Sequence, residues 1–242
     1  MNLVIDIGNT TAKYAVFENN EMVDVSVFSN TDIKELQNYI SQYPKLSKAI
    51  FCSVTNTNDA ILKLLESRFQ NIIEFTPQTE IPLKITYQTP ETLGPDRLAA
   101  AIGAAHLFPN KNILVVSMGT CITYEIITQE GEYLGGKISP GAQMRLKALN
   151  TFTAKLPLVE LRSFNNEYGQ STSDSILAGV ISGIAYEIEG TIDALSQRYA
   201  NLQTILSGGD SAFFVKAIKK PIFTDPFLVL KGLNLVLNHH GK

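Results

Sequence analysis

The chain opens Met1-Asn2-Leu3-Val4-Ile5-Asp6-Ile7-Gly8-Asn9-Thr10-Thr11-Ala12-Lys13, and the rest of it organises around these residues. Leu3, Val4 and Ile5 read as an apolar strand that delivers the Asp6 carboxylate at its end. A Gly-Asn-Thr turn follows, and a second strand starts at once with Lys13 on it. A P-loop would instead open a helix after its glycines. The tip of a hairpin can still hold phosphate: Gly8 lets the backbone approach closely. Exposed N–H groups and the Thr10 and Thr11 hydroxyls can donate to anionic oxygens. Lys13 adds a point charge, and Asp6 is placed to hold Mg²⁺ directly or through water. Taken alone, the stretch also fits an ordinary hairpin with a polar tip, so the remainder of the chain has to decide.

The pattern recurs. Asn112-Ile-Leu-Val-Val-Ser117-Met-Gly119-Thr120 is again a strand running into a glycine turn, 111 residues after the first. The turn Glu18–Glu21 maps onto Gln129–Glu132 at the same offset. Two landmarks in one register predict a duplicated unit. In the first copy a third strand, Met22–Phe28, alternates Val23, Val25 and Val27 with Asp24 and Ser26, which predicts a half-buried strand with the valines inward. Thr31 and Asp32 look like a helix start, with Ile33, Leu36 and Ile40 as its apolar stripe. A buried strand at 48–53, a helix over 59–69 and a strand at 72–75 complete a β-β-β-α-β-α-β unit. The expected division is therefore 1–110 and 111–242.

After a Pro-bearing loop over 76–92, Gly94-Pro95-Asp96-Arg97 precedes an Ala-rich helix expected over 98–107. In the second copy a long helix over 173–198 carries Ile176, Val180, Ile184, Ile188 and Ile192 as one stripe. Gly179, Gly183 and Gly190 share another face, which points to close packing against a second helix, in this chain or in another copy. A strand at 203–207 ends in Gly208-Gly209-Asp210, followed by a helix expected to reach Lys219 and a last helix near 227–237.

Hydrophobic residues make up 45% of the 242 and charged residues 18%, enough apolar material for a real core. The net charge of −3 and the lack of a basic run speak against a nucleic-acid partner. Cys52 and Cys121 lack metal-ligand spacing and form no disulfide framework, so the expectation is a reducing cytoplasm. The N-terminus has no basic region ahead of a long apolar run, and no stretch approaches 18 apolar residues, so neither a signal peptide nor a membrane partner is expected.

Three glycine-bearing turns at strand ends, Asp6–Thr11, Gly119–Thr120 and Ser207–Asp210, point to a nucleotide triphosphate gripped from two sides. Phosphoryl transfer also needs a group that orients and deprotonates an acceptor hydroxyl, and Asp96 is the candidate. Arg97 beside it offers a bidentate clamp for a carboxylate. Gly-Pro-Asp-Arg also fits a plain turn with a capping aspartate.

In order and spacing, Asp6-x-Gly8-Asn9-Thr10-x-x-Lys13, Gly94-x-Asp96-Arg97, Gly119-Thr120, the helix start at Thr172 and Ser207-Gly-Gly-Asp210 resemble the type III pantothenate kinases over essentially the whole chain. That family belongs to the actin-like, sugar-kinase-like ATPases. The resemblance implies an α/β fold of duplicated actin-like (ribonuclease H-like) βββαβαβ domains with an interdomain cleft. It implies ATP-dependent phosphorylation of pantothenate, the first step towards coenzyme A, by a cytoplasmic homodimer. Asp6, Ile7, Gly8, Asn9, Thr10, Thr11, Ala12, Lys13 and Thr120 would bind ATP, with Asp6 near Mg²⁺. Asp96 would be the general base. Tyr87, Gly94, Pro95, Asp96, Arg97 and Thr172 would line the pantothenate site. At Ser117 the family usually carries an aspartate that binds an activating K⁺ or NH₄⁺, and a serine is a neutral, weaker ligand. The alternatives weighed beside this are another small-molecule kinase of the same superfold and a nucleotide-binding regulator without catalysis.

Overall fold

Leu3, Val4 and Ile5 are wholly buried because their strand, β1 (Asn2–Ile7), runs through the middle of a sheet. The structure is a computed structural model that describes residues 1–9, 11–29, 32–55 and 59–240. On one side β1 pairs antiparallel with β2 (Thr11–Glu18), which pairs with β3 (Glu21–Ser29). On the other it pairs parallel with β4 (Lys48–Ser53), which pairs with β5 (Asn71–Glu74). The two crossovers are α1 (Ile33–Ser41) and α2 (Asp59–Arg68). Their apolar residues Leu36, Ile40, Ile61 and Leu65 close a core with Leu3, Ile5, Tyr14 and Phe51. Asp32 caps α1, its side chain accepting from the Glu35 N–H; Thr31, read as part of that start, lies outside the described residues.

The alternation in β3 is real, but its faces are the reverse of the expectation. Val23 and Val27 are half exposed. Phe28 on the other face packs against Tyr14 and Tyr39, and Asp24 accepts from the Tyr43 hydroxyl at 2.8 Å. The edge strand turns its aromatic inward, and a tyrosine satisfies the aspartate that comes with it. Hydrophobicity alone ranked the valines above that pair.

Beyond β5 come a two-residue strand β6 (Lys84–Ile85), a 3₁₀ turn at Pro90–Thr92 and α3 (Pro95–Leu107). The second unit, Phe108–Pro226, repeats the plan. It contains β7 (Ile113–Met118), β8 (Cys121–Ile127), β9 (Glu132–Pro140), α4 (Ala142–Thr151), α5 (Thr172–Ser196), β10 (Gln203–Ser207), α6 (Ser211–Phe214) and β11 (Phe223–Thr224). Within this unit the order β9-β8-β7-β10-β11 matches β3-β2-β1-β4-β5. Even the irregularities correspond: β2 shifts register at Val16/Phe17 and β8 at Ile126/Ile127.

The apolar stripe of α5 is buried as expected, against Leu114, Val116, Tyr124 and Leu206. By length and a mean hydropathy of 1.2 this helix could cross a membrane, but here its apolar face fills the core of the second unit. Its glycine face is open. A Cβ built at Gly179, Gly183 or Gly190 would meet nothing within 4 Å, so among the described residues no helix packs there.

Two expectations about the C-terminal part are corrected. The helix expected to reach Lys219 stops at Phe214. The Lys219 N–H donates instead to Glu189 and Lys220 pairs with Asp193, both on α5, which draws that segment out of helical register. The last helix, α7 (Leu228–His240), belongs with the first unit, Met1–Leu107, rather than ending the second. Gly103 of α3 and Gly232 of α7 make this possible. A Cβ on Gly232 would sit 1.9 Å from the Ala99 carbonyl oxygen, and one on Gly103 2.6 Å from that of Leu228. Asn2 Nδ2 donates to Asn234 and Asn238, at 2.8 and 2.9 Å, and Asn234 donates on to the carbonyl of Asn19 in the β2–β3 turn. No periodicity in the sequence reports such a long-range amide chain.

Candidate active site

Strand pairing places Asp6 between Lys13 on β2 and Cys52 on β4. The Cys52 thiol donates to Asp6 Oδ1 across 3.6 Å. Burial pushes the Asp6 carboxyl up to about 6, Lys13 opposes the rise, and the Asp96 carboxyl adds to it. Burial, with Asp6 and Asp96 alongside, holds the Cys52 thiol well above its ordinary range, so it stays protonated and remains a donor.

Asp96 reaches this group from α3. That helix starts at Pro95, earlier than expected, because proline suits a first position where no N–H is needed. The Leu98 N–H donates to the Gly94 carbonyl at 3.2 Å, and Asp96 falls in the first turn. Gly94 is required there: a Cβ would lie 2.7 Å from Asp96 Oδ1. Burial raises the Asp96 carboxyl above its usual range, against the Arg97 N–H and guanidinium, which favour the ionised form. Arg97 is itself 7% exposed, and its guanidinium stacks over the Tyr87 ring at 5.9 Å. A cavity of about 510 Å³ opens beside Gly94 and Pro95, at the carboxyl ends of β4 and β5, with Ser53, Thr55, Thr76 and Thr92 in its walls.

The second unit gathers its turns around Met118. Gly208, with φ of +86°, comes so close that a Cβ would be 2.3 Å from the Met118 carbonyl oxygen. The Asp210 N–H donates to that same oxygen. Gly141 closes in from β9, where a Cβ would lie 2.0 Å from the Gly119 carbonyl oxygen. Thr120 is exposed at the tip. The helix after Gly208-Gly209-Asp210 is the four-residue α6.

The expected ATP-binding residues of the first loop divide. Ile7 and Ala12 are core residues, so only their backbone can face a ligand. The Gly8 N–H donates to the Thr11 carbonyl at 2.9 Å and closes the turn, so it is not among the exposed N–H groups. Asn9 and Thr11 are exposed, and Thr10 lies outside the described residues. Thr172 is exposed at the first position of α5, behind the cap Ser171. Cys52 was missed: the sequence shows a buried strand, but not that it pairs with β1.

Asp6 fits a divalent cation. It is a carboxylate raised by burial with a second carboxylate nearby, a deficit that positive charge would relieve. Among the described residues no three acidic, His or Cys side chains cluster as a closed metal site. That suits Mg²⁺, which takes one or two protein carboxylates beside phosphate oxygens and water. Ser117 does not fit a monovalent cation in the same way. Its strand partners are Thr123 and Ser207. All three hydroxyl oxygens are sealed from solvent without a hydrogen-bond partner among the described residues, and none is charged.

The type III pantothenate kinase family matches residues 2–194 of this sequence. The chain belongs to that family. A type III pantothenate kinase of Phocaeicola vulgatus is 46% identical over 242 residues, covering all of both chains. Among solved structures, a Campylobacter jejuni protein described as of the Baf transcriptional-activator family superposes with a TM-score of 0.61 at 23% identity, covering 98% of each chain. A ROK-family glucokinase from Streptomyces griseus does so with a TM-score of 0.54 at 10% identity, covering 98% of this chain and 99% of its own. These structures show the fold, that of actin-like ATPases and sugar kinases. The row Lys13–Asp6–Cys52, with Asp96 beside it, thus lies on a sheet of this fold.

With the Asp6 carboxyl near 6 and Asp96 raised beside it, both are protonated in acid and lose the charge that a metal-holding or proton-accepting carboxylate would need. The rate at low ATP should therefore fall as pH drops through about 6, in an acid limb belonging to the pair rather than to one residue. A pH profile flat down to pH 4.5 would contradict this.

Proposed function

We infer that the protein transfers the γ-phosphoryl group of ATP to the primary hydroxyl of pantothenate, giving 4'-phosphopantothenate for coenzyme A synthesis. The observation that carries this reading is Asp96. It is a carboxylate raised by burial, at a helix start beside a buried arginine, in a chain of the pantothenate kinase family. Asp96 accepts the hydroxyl proton as the new P–O bond forms. Arg97, held flat by Tyr87, pairs with the pantothenate carboxylate. Gly94 and Pro95 wall the acceptor pocket of the first unit. Lys13 and the Asp6–Thr11 turn hold phosphate oxygens; in the second unit Thr120 is the candidate phosphate ligand and Thr172 the candidate substrate hydroxyl. Mg²⁺, which Asp6 would hold, supplies positive charge against the γ-phosphate. The setting is the cytoplasm, where both cysteines remain free thiols.

Asp96→Asn should leave the fold intact and lower kcat by roughly 10²–10⁴-fold in an assay of phosphopantothenate release. A rate near that of the unchanged protein would remove Asp96 from the role of base.

Ser117, flanked by neutral hydroxyls, offers no charged ligand to K⁺ or NH₄⁺. Turnover is expected to be the same in Na⁺, K⁺ and NH₄⁺ buffers at equal ionic strength. A stimulation specific to K⁺ would show that other groups bind the cation.

The working form is a homodimer that covers the open glycine face of α5, where Tyr186 is also 61% exposed. A Cβ at Gly183 meets nothing within 4 Å among the described residues, so Gly183→Leu should fold. Light scattering should then report the monomer mass. A dimer of unchanged affinity would put the contact elsewhere.

A further inference from the structure

The last bond of an aspartate rotates over a broad, two-fold range, so a carboxylate on a strand needs a partner to fix which oxygen faces the ligand. Lys13 carries its charge on a long, mobile stem, which makes it a poor rotational anchor. Cys52 is different. It is completely buried on the neighbouring strand, in direct register with Asp6. Its thiol donates to Asp6 Oδ1 at 3.6 Å. A thiol fixed on a strand beside its acceptor is a directed donor even though it is a weak one. It occupies Oδ1 and so leaves the second carboxylate oxygen as the one available to a ligand.

The repeat supplies a second observation. In the other unit, the residue in register beside Ser117, the counterpart of Asp6, is Ser207, again small and protic. Both units place a short donor at this point of the parallel strand next to the loop-bearing strand. Only in the first unit is the group it faces a carboxylate.

We propose that Cys52 is a positioning residue of this kinase: its thiol orients the Asp6 carboxylate so that one oxygen is presented to the divalent cation of the bound nucleotide. This rests on the reading of Asp6 as the residue that would hold Mg²⁺. Partners that orient a metal-holding group commonly change metal affinity or activity by 10–100-fold when removed.

The test is calorimetric binding of ADP with and without Mg²⁺, which needs no turnover, in the unchanged protein, Cys52→Val and Cys52→Ser. Valine fills the space without a donor, whereas serine keeps one. Cys52→Val should lose about 10-fold of the Mg²⁺-dependent gain in ADP affinity. Its affinity for ADP alone should not change, and Cys52→Ser should keep most of the gain. In steady state, Cys52→Val should need more free Mg²⁺ for half-maximal rate at an unchanged KM for pantothenate. If valine does not fold, Cys52→Ala makes the same comparison. A Mg²⁺ gain untouched in the donor-less variant, or lost equally with serine, would overturn the proposal and leave Cys52 as packing. Mg²⁺-dependent ADP binding in a protein that does not phosphorylate pantothenate would remove the substrate reading alone, since the binding comparison still decides the role of Cys52.

Discussion

A carboxyl held inside a sheet, with a second carboxyl close by, is the constraint on which the first unit depends. Asp6 lies on the central strand, so it must have neighbours on both sides, and those neighbours are Lys13 and Cys52. Burial, with the Asp96 carboxyl adding to it, raises it to about 6 against one lysine and one thiol, so the protein by itself leaves the charge only partly compensated. Such a group is a poor structural element and a good ligand-facing one. Its surroundings follow the same logic. Gly8 turns the chain where a Cβ would come to 3.0 Å from the Thr11 carbonyl oxygen. Gly94 keeps a side chain away from Asp96.

Duplication repeated the architecture without repeating the chemistry. The row Lys13–Asp6–Cys52 has its counterpart in Thr123–Ser117–Ser207, across the corresponding three strands. One row is charged, and the other consists of three sealed hydroxyls. Leaving a buried hydroxyl without a partner costs about 1–3 kcal/mol, and the second unit carries three side by side. The same unit is tightly packed at the backbone, where Gly141 closes on the Gly119–Thr120 turn and Gly208 on Met118.

The halves also differ in how they are closed. The first takes back the C-terminal helix, held by the glycine crossing of α3 and α7 and by the asparagine chain from Asn2. A fully bonded polar chain of this kind fixes the helix in one register, because any slip would leave buried amides unpaired. Asn19 contributes through a left-handed turn with φ of 56°, a conformation asparagine tolerates.

Local patterns were enough to read the strand–carboxylate–glycine opening, its recurrence 111 residues later, the buried stripe of α5 and the Asp96-Arg97 helix start. Each depends on residues a few positions apart, and the repeat made two ambiguous turns support one another. What the tertiary structure alone decided depends on residues far apart in sequence. Cys52 meets Asp6 only because β4 pairs parallel with β1. The valines of β3 face outward only because Phe28 finds Tyr14 and Tyr39. The last helix joins the first unit because Gly232 fits against Ala99. The opening residues therefore announced a phosphate-handling carboxylate from sequence alone. Which side chains hold that carboxylate in place was set by strand pairing, which no local pattern encodes.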